Sequence, residues 1–194
     1  MNTLLRVTQK FDSTLNSLRF VRKHFLIILI LGLIAGLGRA AQLRAFGAIA
    51  PWLDTFLEIT IQTARILIFL FSLGLTNVKK GITRFVSVFS FETGTSKNWK
   101  SAWAKLKTEW VAVTLNMAAF LFISFLINLM IDHIAYETCL YLTLKRDGLL
   151  SADSSEWAII LFFKNISVIP FTLVFNATLL LWFANRLPQH VREA

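Results

Sequence analysis

A single cysteine, Cys139, in 194 residues leaves no room for an internal disulfide or a cysteine-rich zinc site. The three histidines, His24, His133 and His190, stand at the ends of apolar stretches with no metal-ligand spacing among them. No glycine-rich phosphate loop, H-E-x-x-H or G-x-S-x-G is present, and no two carboxylates are spaced as a paired acid and base. The polar segments are also too short to fold as a catalytic domain. The expectation is a non-enzyme: no catalytic residue, no metal and no cofactor.

Charge is scarce as well. Charged residues make up 16% of the chain, against about 25% in an ordinary soluble domain. The hydrophobic share is 56% and the mean hydropathy +0.62. The apolar residues are gathered into blocks near the length of about 20 residues that a helix needs to cross a hydrocarbon core. A soluble helical bundle would carry a polar outward face on each block, and most of these have little or none. The fold expected is all-α, a single integral membrane domain over 1–194. It has four transmembrane helices in a bundle at about 24–43, 51–76, 109–131 and 156–184, plus amphipathic interfacial helices at the N-terminus and before the third span.

Local signals refine this. In residues 1–23, Leu4, Val7, Phe11, Leu15 and Leu18 recur at helical spacing with Arg6, Lys10, Arg19 and Arg22 between them. That pattern suits a helix on a membrane surface or one packed on the protein's own loops. Gly32 and Gly36 form a G-x-x-x-G in the first span, which permits close helix packing, and Arg39 is placed to snorkel at its end. Pro51 opens the second span. NWKSAWAKLKTEW puts Trp99, Trp103, Leu106 and Trp110 on one helical face beside Lys97, Lys100, Lys105 and Lys107, as at a headgroup layer. Such a tryptophan row favours lipid over nucleic acid. Residues 132–155 form an acidic loop, Asp153 and Glu156 read as a helix start, and Pro170 predicts a bend in the fourth span.

The net charge of +9 resides mostly between the blocks. Fourteen lysines and arginines flank the spans on the side of both termini and the second loop, against four in the first and third loops. The positive-inside rule then puts both termini in the cytoplasm and the acidic loop outside, and anionic lipid headgroups are the expected surface partner. The N-x-S/T sequons at Asn165 and Asn176 fall inside the fourth span, where glycosylation is not expected.

One stretch breaks the apolar rule. DTFLEITIQTAR, residues 54–65, places Asp54, Glu58, Gln62 and Arg65 within about 80° of helix surface. An ionised residue at the centre of a span costs at least about 2.5 kcal/mol on the lenient insertion scale, so a polar face here predicts protein partners. Glu58, Gln62 and Arg65 are expected to face the bundle interior. Gln62 is placed to bridge Glu58 and Arg65, Lys164 lies level with Glu58, and across the fourth span Asn165, Thr172 and Asn176 share a face about 40° wide. Three functions suit these features. The first is a non-catalytic accessory subunit of a bacterial inner-membrane complex, in contact with other membrane subunits or its own copies. The second is a small transporter or channel using Glu58, Gln62, Arg65 and Lys164, and the third a membrane-remodelling protein.

Overall fold

The computed structural model describes residues 11–89 and 95–184, with side chains from 102 onward in the second stretch and up to 87 in the first. Among these residues it is all-helical: α1 (Asp12–Lys23), α2 (Phe25–Gln42), α3 (Pro51–Leu73), α4 (Val78–Phe89), α5 (Thr95–Thr108), α6 (Trp110–Glu137), α7 (Leu140–Arg146), α8 (Glu156–Ile166) and α9 (Val168–Phe183). Four stretches are long and apolar enough to cross a membrane: α2, α3, α6, and α8 with α9 taken together. These fit a multi-pass membrane protein.

The fourth span is not straight. Pro170 has no N–H to give the Ile166 carbonyl, and its ring would crowd that oxygen. The helix therefore ends at Ile166, Ser167 leaves helical geometry (φ −127°, ψ −80°), and α9 restarts with Pro170 in its first turn.

The chain divides into two compact units. The first gathers the described residues of Met1–His24, Phe69–Ile123 and Phe171–Ala194. Its core includes two centres among the described residues. Leu73, Ala177 and Leu181 form one, and Phe120, Phe171 and Phe175 the other, where the Phe120 and Phe175 rings stack at 4.3 Å. α1 joins this unit by a face that hydrophobic periodicity does not pick out. Ser13, Thr14, Asn16, Ser17 and Phe20 are buried while Leu18 is exposed. Small hydroxyl side chains allow close helix approach and bond across the contact. Residues 1–10 of the expected surface helix lie outside the described residues.

The second unit comprises Phe25–Ile68 and Ser124–Pro170. Here α2 lies against α8, with buried Ala40, Ala45 and Ala158 at one end and Ile131, Ala135 and Ile160 forming a further centre. The acidic loop is shorter than expected, because α6 continues through Asp132 to Glu137. The rest of the loop carries α7, and the Tyr141 hydroxyl donates to the Ser154 carbonyl at 2.6 Å. An apolar cavity of about 230 Å³ lies among Leu37, Phe46, Leu144, Leu149 and Phe162.

Candidate functional site: an ionic face within a span

The site starts from glycine. A Cβ on Gly32 would come within 3.0 Å of the Asn165 carbonyl oxygen and 3.1 Å of the Ile166 Cα. One on Gly36 would stand 3.1 Å from both the ring and the carbonyl oxygen of Phe162. A side chain at either position would require its neighbours on α8 to give by a few tenths of an ångström, so α2 and α8 approach closely, backbone against backbone. Gly38 faces α3 in the same way, with a Cβ 2.9 Å from the Ile61 side chain. These approaches bring the polar residues of α2, α3 and α8 within reach of one another.

Two groups result. In one, Glu58 receives Arg39 at 3.1 Å, Gln42 Nε2 at 3.2 Å and Gln62 Nε2 at 2.7 Å. Arg39 also donates to Gln42 Oε1 at 2.8 Å, and Gln42 Nε2 reaches the Asp54 carbonyl at 3.1 Å. Arg39, expected to snorkel, is thus the cation of Glu58. In the other, Arg65 donates through Nη2 (2.8 Å) and Nε (3.3 Å) to Asn165 Oδ1, and Asn165 is held by its own donation to the Leu161 carbonyl at 2.7 Å. Gln62 therefore serves Glu58 alone, and Arg65 is met by the fourth span.

The two groups differ in cover. Asn165 is 1% exposed, whereas the Glu58 side chain is 42% exposed and that of Arg39 24%, and Gln62 and Asp54 are exposed. The face of α3 is therefore open along much of its length and does not point wholly into the chain's interior. Lys164 is half-buried and makes no hydrogen bond or ion pair among the described residues. Asn176 is exposed while its neighbours Phe175, Ala177 and Thr178 are buried. The break at Ser167 interrupts the helix between Asn165 and Asn176.

A second polar cluster lies in the first unit. Thr14 donates its backbone N–H to Asn116 Oδ1 at 2.9 Å, its hydroxyl lies 3.1 Å from the same oxygen and from the Asn116 carbonyl, and Ser17 pairs with Thr178 at 2.6 Å. Thr14 is in the first turn of α1, where N–H groups have no partner in their own helix, so Asn116 caps α1 from α6. Of the other polar residues of the third span, Asn128 donates to the Ser124 carbonyl and the Ser124 hydroxyl is buried without a partner.

Around α5, Trp103 and Trp110 are 60% and 61% exposed, and the Lys107 ammonium stands 6.0 Å over the Trp103 ring. Lys105 turns inward instead, to the Trp182 carbonyl at 2.8 Å and over its ring at 4.0 Å. Trp99 and Lys100 belong to α5, but their side chains lie outside those described. No cluster of three histidine, cysteine or carboxylate side chains able to hold a metal occurs among the described residues. Comparison with family models, with curated proteins and with solved structures finds no match for this chain.

Proposed function

We propose that this chain is a non-catalytic subunit of a larger assembly in a bacterial inner membrane, with both termini cytoplasmic, and that another membrane protein covers the polar face of α3. The observation that carries this reading is the partly open Arg39–Glu58 pair with Gln62 exposed beside it. Glu58 lies seven residues into α3, about 10 Å from its start. Lipid offers no hydrogen bonds at such depth, and the chain itself leaves these groups partly uncovered. A second protein surface with its own donors and acceptors meets both demands, since interhelical polar contacts are a known adhesive within membranes. Purification in mild detergent followed by mass spectrometry of co-eluting proteins tests this. A stoichiometric partner is expected that is lost from the Glu58→Leu, Gln62→Leu double variant while the chain remains folded. A chain that runs alone from gently solubilised native membranes opposes it.

Lys164 favours a second reading. A half-buried ammonium with no bond to the described residues is what an intramembrane route for a solute or ion requires. Flux through liposomes holding only the purified chain, abolished by Lys164→Met, is the outcome that reading requires.

A further inference from the structure

α4 was hidden in the basic stretch after the second span, and its placement is unusual. α3 ends at Leu73 and α4 begins at Val78, so the chain reverses in four residues. The Thr76 N–H reaches back to the Phe71 carbonyl at 2.9 Å, and Leu75 and Thr76 both take left-handed backbone (φ 49° and 84°). For β-branched Thr76 that is a strained conformation, held only where its surroundings dictate it. A Cβ on Gly74 would overlap the Asn77 carbonyl oxygen, and one on Gly81 would overlap that of Leu70. Arg84 donates to the Leu73 carbonyl at 2.8 Å, satisfying an acceptor at the end of α3.

These contacts fold α4 back along the membrane helix. Phe85 meets Phe69 edge to face at 6.2 Å, and Phe69 stands one turn inside the end of α3. A side chain at that level lies at the boundary between headgroups and acyl chains. Val78, Ile82, Phe85 and Val86 fall in a sector about 100° wide, and Ile82, Phe85 and Val86 are 47%, 40% and 55% exposed. Lys80, also exposed, lies opposite this sector, while exposed Lys79 and Thr83 border it, Lys79 about 20° from Val86 in angle and two turns before it.

We propose that α4 is a lipid-binding helix lying in the leaflet where α3 ends, with Ile82, Phe85 and Val86 among the acyl chains and Lys79 and Lys80 at the phosphates of anionic phospholipids. The occupant is lipid because the exposed apolar sector continues a surface that already faces hydrocarbon, at a depth fixed by Phe69. The lysines supply the charge that selects anionic headgroups. The turn at Gly74 and Gly81 sets the depth, so α4 is built into the membrane-facing surface and does not attach and detach as a free amphipathic segment would. The inference holds for either orientation of the chain and does not depend on the polar face of α3.

The test uses the full chain with Cys139→Ser and one spin label, at Val86→Cys or at Lys80→Cys, in phosphatidylcholine vesicles with about one-third phosphatidylglycerol. The label at 86 should collide with oxygen, which concentrates in lipid, and be shielded from a water-soluble nickel chelate. The label at 80 should show the reverse. A label at 86 that meets nickel as readily as that at 80 places α4 in water and overturns the proposal. One shielded from both reagents puts protein over the face and overturns it equally. Native mass spectrometry of the unlabelled chain should find retained phosphatidylglycerol, reduced at least about threefold in the Lys79→Gln, Lys80→Gln variant. Equal retention would overturn the headgroup assignment.

Discussion

The two polar clusters of this chain solve the same problem in different ways. In the first unit, Thr14, Ser17, Asn116 and Thr178 are neutral and buried at 4% exposure or less, and they bond to one another. In the second, Arg39, Glu58 and Gln62 are bonded but partly uncovered, and two of them carry charge. A cluster that only holds helices together has reason to be closed and neutral, because each uncovered charge in lipid opposes insertion. The closed cluster is complete within the chain. The open one is incomplete, and that contrast separates internal packing from a surface meant for something else.

The largest effect should fall on the packing that brings the open cluster together. Gly36→Leu must push α2 off α8, since even a Cβ stands 3.1 Å from the Phe162 backbone oxygen. We expect a loss of about 3 kcal/mol or more, read as a large drop in Tm in detergent. Unchanged Tm would mean that α2 and α8 do not pack as described. Next comes the closed cluster. Asn116→Ala strands the Thr14 N–H, while the Thr14 hydroxyl keeps the backbone carbonyl at 116, and should cost about 1–3 kcal/mol, with the N-terminal segment becoming sensitive to protease before the rest of the chain melts.

The open cluster should respond more weakly and pairwise. A double-mutant cycle between Arg39→Leu and Glu58→Leu is expected to show coupling of about 0.5–1 kcal/mol, because the pair is partly exposed. The cycle between Glu58→Leu and Arg65→Leu should be nearly additive, because Arg65 is held by Asn165. Coupling in the second cycle and none in the first would reverse the pairing. The smallest effect belongs to the turn before α4: Thr76→Gly relieves a left-handed β-branched residue and should stabilise by about 1 kcal/mol or less, as a small rise in Tm.

Much of this was legible in the sequence for one reason: block length and apolar composition read directly on membrane spans. Gly32 and Gly36 stood out by spacing, and Pro170 announced a break because a missing N–H is a local fact. What escaped depends on register between helices. Nothing in the order of residues says that Arg39 of α2 stands level with Glu58 of α3, so Arg65 looked like the nearer partner. Asn165 and Asn176 were set on one face by spacing alone, and spacing does not register the break at Ser167 between them. For α1, hydrophobic periodicity chose the face with Leu15 and Leu18, whereas hydroxyl-mediated packing chose the face with Thr14 and Ser17. α4 carried a readable signal in Val78, Ile82, Phe85 and Val86, but its glycine and its lysines made the stretch look like loop.

The central claim is that another protein covers the open face of α3 within the membrane. A photo-crosslinking amino acid at position 62, with a second at exposed, apolar Leu129 as comparison, tests this in intact native membranes. The account predicts a discrete protein adduct from position 62 that is absent from position 129 and is lost when Glu58 is changed to Leu. Lipid adducts alone from both positions would contradict it.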